Sequence, residues 1–257
     1  MKVFYFSATG NSLYVAKQLG GKPAPIPQML KTGQFSCSDD AIGLVFPCYS
    51  FGVPRLVLDF LSQAQWQAEY LFAVATYGKL AGTVLHSLEQ AAEQNGIFFD
   101  YLNTLLMTDN YLPNFKMEKQ ALLLPQKNVE ERLHQIKSDI GERRVLKPKV
   151  TAVQKLFSST VSSAFKSVFT ENAAKKYIVK NNCNGCGLCA QICPTGNITV
   201  SADKKPPVSF DSRCQNCLGC VHACPQNALH LKNEKSSARF LNGGVTIKEL
   251  LSANSQL

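Results

Sequence analysis

The sequence predicts an α/β protein: a doubly wound parallel sheet of five strands over residues 1–145, then a small α+β unit over residues 181–235. Three observations carry this. Short apolar runs alternate with amphipathic segments through the first 145 residues, the pattern of repeated β-α units whose strands run parallel. Eight of the ten cysteines fall between Cys183 and Cys224, in two runs of identical spacing. Between these regions the charge balance breaks: residues 146–180 hold seven Lys and one Glu, whereas residues 1–145 hold 13 basic and 13 acidic groups.

The elements follow in order. KVFYF (2–6) reads as a buried strand that runs into a turn, and NSLYVAKQL (11–19) as a helix. Pro23, Pro25 and Pro27 blur residues 21–36 to a short edge strand, because proline cannot donate to a sheet ladder. AIGLVFP (41–47) is the next strand, and VPRLVLDFLSQA (53–64) a helix with Pro54 near its first turn, where a missing N–H costs little. YLFAVATY (70–77) is a strand bounded by Gly78, and LAGTVLHSLEQAAEQN (80–95) is a helix. FFDYLNTLLMT (98–108) is the last strand and NVEERLHQIKSDIGERR (128–144) the closing helix. Sheets of this kind hold ligands in the loops after the carboxyl ends of their strands.

Residues 146–180 form a basic connector. In it Val150, Val153, Phe157, Val161, Ala164 and Val168 recur at steps of three and four, so an amphipathic helix or helix pair is expected. Packing between the domains is the expected role, and a basic membrane-surface or partner-binding helix the alternative. Residues 236–257 read as a C-terminal tail. Because the net charge of +9 belongs mainly to the connector, no general nucleic-acid surface is expected. No run approaches the roughly 18 apolar residues of a membrane span, and the N-terminus lacks an apolar signal region. A cytoplasmic location is therefore expected.

CNGCGLCAQICP (183–194) and CQNCLGCVHACP (214–225) both read C-x2-C-x2-C-x3-C-P, followed by the short apolar stretches NITV and ALHL. Such a repeat implies two half-units about a pseudo-twofold axis. Three thiolates so spaced wrap one face of a compact cluster, while the fourth ligates the other cluster. One ligand set is then Cys183, Cys186, Cys189 and Cys224, and the other Cys214, Cys217, Cys220 and Cys193. Zinc also takes four thiolates, but its sites usually pair two separated C-x2-C knuckles. Gly185, Gly187 and Gly219 are expected to allow the tight wrap. His222 reads as a half-exposed helix residue, and Cys37 and Cys48 are assigned no chemistry. Residues 180–232 resemble the bacterial two-cluster [4Fe–4S] ferredoxins.

FSATGNS (6–12) joins the first strand to the first helix. Loop amides and a helix N-terminus converge on such a turn and hold an anion. Ser7, Thr9 and Ser12 add O–H donors, Gly10 permits close backbone approach, and Asn11 locks the turn through its own backbone. Neither G-x4-G-K-[ST] nor G-x-G-x-x-G is present here, which disfavours ATP and dinucleotides. The turn resembles the phosphate loop of the flavodoxin family, and the likeness covers about residues 1–145. It implies FMN. FPCYSFGVP (46–54) would bring Pro47, Tyr49, Ser50, Phe51 and Gly52 to the cofactor, and ATYGKLAGT (75–83) Thr76, Tyr77, Gly78 and Lys79. Asp109, Asn110 and Tyr111 border the same cleft or a domain contact. Flavodoxins are typically acidic, whereas this domain is neutral; Lys79 is expected to stabilise anionic flavin and raise its midpoint potential.

As a whole the chain resembles the fused flavodoxin–ferredoxin proteins of anaerobic bacteria and archaea. The resemblance implies an electron-transfer protein with two [4Fe–4S] clusters and FMN, passing electrons to or from a redox partner. An acidic partner would dock near the basic connector. The alternative is a ferredoxin-fed, FMN-dependent reductase of a small molecule. No catalytic residue is assigned, since Tyr77, Tyr111 and His86 form no convincing acid–base pair. No nicotinamide module is evident, so NADH and NADPH are not expected to reduce the flavin directly. Flavin and cluster meet either within one chain or across a dimer.

Overall fold

The computed structural model describes residues 1–148 and 173–257; the amphipathic pattern read at 150–172 lies outside them. Seven strands fall in the first part: β1 (Lys2–Tyr5), β2 (Lys22–Pro25), β3 (Ser36–Ser38), β4 (Ala41–Pro47), β5 (Gln65–Gln67), β6 (Tyr70–Tyr77) and β7 (Tyr101–Leu106). Five of them form one parallel sheet in the order β2-β1-β4-β6-β7. Counted within that sheet the order is 2-1-3-4-5, which defines the flavodoxin-like arrangement. β3 and β5 make a separate short parallel pair.

Alternation along the strands builds two apolar layers. Val3 and Tyr5 face one layer with Leu13 and Val15 of α1 (Asn11–Gln18). Phe4 and Phe6 face the other. That second layer is covered by α2 (Ile26–Thr32), α3 (Arg55–Leu61) and α4 (Val84–Glu93), through Ile26, Phe60 and Leu88. The proline-rich stretch thus holds a helix as well as the expected edge strand. Pro27 sits in the first turn of α2, where no intrahelical donor is lost. Two further helices, α5 (Met117–Leu123) and α6 (Val129–Gly141), complete this part.

The second part repeats itself. Its first half is β8 (Tyr177–Val179), α7 (Leu188–Gln191) and β9 (Ile198–Val200); its second is β10 (Val208–Phe210), α8 (Gly219–His222) and β11 (Leu229–Leu231). Each element starts 31 residues after its counterpart, at 177 and 208, 188 and 219, 198 and 229. Pairing crosses the halves, β8 with β11 and β9 with β10, both antiparallel. Left-handed backbone recurs at the same offset: Gly185, Gly187 and Gly196 in the first half, Asn216, Leu218 and Asn227 in the second. Gly219 is therefore not a left-handed wrap position. It admits the neighbouring loop instead, since a Cβ there would lie 3.2 Å from the Ala8 carbonyl oxygen.

Residues 236–257 are more than a tail. They carry a last helix, α9 (Ile247–Asn254), started by a capping box between Thr246 and Glu249. This segment returns to the first domain, where Lys17 meets Glu249 at 2.6 Å and Gln28 donates to the Ser255 carbonyl at 2.8 Å. Leu218, Val221, Val245 and Leu250 belong to the same buried cluster as Leu13 and Val15, so one apolar layer runs through both parts. Among the described residues no helix is long and apolar enough to cross a membrane.

Candidate functional site

The loops after β1, β4, β6 and β7 enclose a cleft of about 570 Å³. It lies where the strand order reverses between β1 and β4, the position at which such sheets bind ligands. Ser7, Thr9, Asn11 and Ser12 line it, as do Pro47, Tyr49, Ser50 and Phe51, and Thr76, Tyr77, Gly78 and Lys79. Asp109, Asn110 and Tyr111 line it too.

Two expected residues are absent from the lining. Gly10 has a left-handed φ of 101° and faces the C-terminal segment: a Cβ there would sit 2.8 Å from the Asn242 Cβ. Gly52 closes a tight turn with Tyr49 through backbone bonds of 2.9 and 3.0 Å. Within that turn Ser50 and Phe51 have φ of 48° and 67°, a conformation costing roughly 1–2 kcal/mol per non-glycine residue. Strain of this kind concentrates where a loop must meet a ligand.

The loop Ser7–Ser12 is a donor set without a cation. Among the described residues the N–H groups of Ala8, Thr9, Asn11 and Ser12 find no acceptor. The Gly10 N–H donates to Ser7 Oγ at 3.1 Å, and Asn110 Nδ2 donates to Thr9 Oγ1 at 2.6 Å. Each hydroxyl is thus held as an acceptor on one side, and its own proton is left to be donated. That is the chemistry a bound phosphate requires. Asn11 and Ser12 contribute differently from expectation. Asn11 spends its amide on the Thr108 carbonyl at 3.0 Å and on Asn242 at 3.1 Å, and Ser12 Oγ pairs with Thr76 Oγ1 at 2.8 Å.

Sequence reasoning missed Lys127, whose motif carries no signal. Its buried ammonium donates to the carbonyls of Gly78, at 3.1 Å, and Met107, fixing the ends of β6 and β7. Burial lowers the Lys127 pKa and the charge of Asp109 opposes that shift. Asp109 is itself raised by burial, against its bond from the Tyr111 N–H and the charges of Lys127 and Lys79. The Asp109 carboxylate packs on Gly78, where a Cβ would approach it to 2.3 Å.

His222 overturns its reading as half-exposed: it is 3% exposed. Its Nδ1 accepts from the Phe240 N–H at 3.1 Å, so Nε2 carries the proton and donates to the Asn110 carbonyl at 2.8 Å. Burial lowers its pKa to about 4, which keeps it neutral near pH 7. One imidazole therefore ties α8, the cleft and the C-terminal segment together.

The eight cysteines surround two small cavities of about 20 Å³ each. The outer is lined by Cys183, Cys186, Cys189 and Cys224, and the inner by Cys193, Cys214, Cys217 and Cys220; these are the two sets expected from the spacing. Backbone N–H groups already point at sulfur in a matched way. Asn197 donates to Cys193 Sγ and Ala228 to Cys224 Sγ, both at 3.2 Å. Burial, followed by the neighbouring cysteines, pushes the Cys220 thiol well up. Packed thiolates of this kind need bound metal charge, and iron–sulfur clusters supply it. Cys217 lines the inner cavity and the cleft alike, with Asn216 and Leu218 beside it on the cleft wall.

The 4Fe-4S dicluster domain family matches residues 175–225. Over 50 residues the chain is 38% identical to a ferredoxin-like protein in the nif region of Trichormus variabilis, covering 20% of this chain and 42% of that protein's length. Over 72 residues it is 32% identical to an uncharacterized ferredoxin of Methanocaldococcus jannaschii, covering 27% of this chain and 94% of that protein. Among solved structures, two-electron reduced Megasphaera elsdenii flavodoxin aligns with a TM-score of 0.27 and 15% identity, over 40% of this chain and 83% of that one.

Proposed function

Because residues 175–225 place the chain in the 4Fe-4S dicluster ferredoxin family, we propose that the whole is an electron-transfer flavo-iron-sulfur protein, with two [4Fe–4S] clusters and one FMN on a route to a redox partner. The observation that carries this is Cys217, which belongs at once to the inner cysteine cavity and to the cleft of the flavodoxin-like sheet. Clusters exchange single electrons and a flavin one or two, so bound together they connect one- and two-electron chemistry.

The residues give the route its ends. Cys186 is exposed, and Cys183 and Cys224 are half-buried, so the outer site opens to solvent. Cys193 and Cys220 are buried and Cys214 and Cys217 half-buried, with the buried Leu218 beside Cys217 on the cleft wall. In the cleft, Ser7 and Thr9 hold the phosphate, and Tyr49, Phe51 and Gly78 border the ring system. Tyr49 is kept protonated by burial and then by the nearby Cys217. A single chain thus brings the two centres together without a dimer.

For the partner we propose an acidic redox protein in the cytoplasm, docking at the outer site. Lys180, Lys204 and Lys205 are exposed. The Cys183 N–H bonds the Lys180 carbonyl at 3.1 Å. Steered encounter of this kind is salt-dependent in rate.

Anaerobic purification with counting tests the proposal. The expected yield is about eight iron, eight sulfide and one FMN per chain. Absence of FMN, or half the iron, refutes it. Turnover of a small acceptor with no partner protein would instead make the chain an FMN-dependent reductase.

A further inference from the structure

We propose that the C-terminal segment 236–257 is part of the phosphate site, with Asn242 and Asn254 as positioning residues that aim the loop Ser7–Ser12 at the cofactor. This rests on the FMN reading above. Neither asparagine lines the cleft. Both act on the back of the loop that does.

Asn254 is completely buried, and its Nδ2 donates to the Ser7 carbonyl at 2.9 Å and to the Leu250 carbonyl at 3.0 Å. The Asn242 N–H donates to the Thr9 carbonyl at 2.9 Å, and its Nδ2 to Asn11 Oδ1 at 3.1 Å. A trans peptide points its C=O and its following N–H to opposite sides. With the Ser7 carbonyl turned to the segment, the Ala8 N–H turns toward the cleft that Ala8 lines. With the Thr9 carbonyl turned out, the Gly10 N–H turns in to Ser7 Oγ, which frees the Ser7 proton for the ligand. A nest without lysine depends on such preorganisation, because unpinned peptides would present carbonyl oxygens to the phosphate.

Two details mark these contacts as costly ones. Asn254 Oδ1 is buried without a partner among the described residues, at a cost of roughly 1–3 kcal/mol that an apolar residue would not carry. An amide persists here for its N–H groups. Gly10 gives up a side chain in a left-handed conformation and thereby lets Asn242 approach. The segment also has its own anchors, at Lys17–Glu249 and at the Phe240 N–H on His222.

The test compares FMN with riboflavin, which lacks the phosphate. Dissociation constants for both are measured by flavin fluorescence on the cluster-loaded full chain, in wild type, Asn254→Ala and Asn242→Ala. Asn254→Ala is expected to weaken FMN about tenfold, equivalent to about 1.4 kcal/mol, and Asn242→Ala, which loses the side-chain bond to Asn11 but keeps the one to Thr9, about fivefold; both are expected to leave riboflavin within about twofold. Equal losses for both flavins, or none, overturn the proposal. Asn242→Ala keeps the backbone bond to Thr9 and so reports even where Asn254→Ala fails to fold, as judged by iron content and circular dichroism. A wild type without preference for FMN removes the premise, and that result is seen before any variant is made.

Discussion

Replacing His222 by leucine tests whether one imidazole holds the cluster-bearing half to the cofactor cleft. The change orphans two backbone groups, the Phe240 N–H and the Asn110 carbonyl, now at 3.1 and 2.8 Å from the ring nitrogens. Each orphaned group costs roughly 1–3 kcal/mol, and burying leucine returns about 1–2 kcal/mol. The expected net loss is therefore about 1–4 kcal/mol. FMN should weaken as well, because Asn110 also holds Thr9 Oγ1. Urea unfolding followed by cluster absorbance and flavin fluorescence reads both effects, with iron content showing that the clusters assembled. Since the ring is neutral near pH 7, glutamine can donate and accept in its place, and His222→Gln should recover at least half the loss. A leucine variant within about 0.5 kcal/mol of wild type, or a glutamine variant no better than leucine, would refute the reasoning.

Gly78→Ala drives a methyl to 2.3 Å from the Asp109 carboxylate; a loss of about 1–3 kcal/mol with weaker flavin binding is expected in thermal melts and titrations. Lys79→Ala should lower the flavin midpoint potentials, and a redox titration with unchanged values would show a merely solvated lysine. Glu249 has its pKa depressed to about 2, first by the hydrogen bond from Lys17 and then by Thr246. A depressed carboxylate stabilises the fold above its ordinary pKa of about 4.3, and that contribution disappears as pH falls through about 2. Being partly exposed, the pair contributes at most about 1 kcal/mol; hydrogen-exchange protection factors in residues 247–254, corrected for the intrinsic slowing of exchange in acid, should fall between about pH 4 and pH 2, and Glu249→Gln should abolish that change.

How much was legible depended on whether the deciding neighbours were near in sequence. Ala41–Pro47 and Tyr70–Tyr77 coincide end to end with the strands expected there, because a strand buried on both faces is a continuous apolar run. In the cysteine runs three members of each group are near neighbours, and the repeat of the same spacing in the second run marks where the fourth comes from. The helix Ile26–Thr32 was hidden by prolines that look like strand breakers but serve as its start. His222, Lys127 and Asn254 were illegible as site residues: their partners are 112, 20 and 247 positions away. Gly10 was noticed for the right freedom and given the wrong neighbour, because nothing in FSATGNS announces a chain end returning behind it.

The two cysteine-rich halves are nearly interchangeable as backbone, yet only one has glycines at Gly185 and Gly187 where the other has Asn216 and Leu218. The glycine copy borders solvent, and the substituted copy lines the cleft of the sheet with Asn216, Cys217 and Leu218. Leu218 accepts a costly backbone angle in order to be a wall. A duplicated unit has no inherent direction. Docking one copy against the sheet gives the duplicated unit two unlike ends, one open to solvent at Cys186 and one facing the cleft at Cys217.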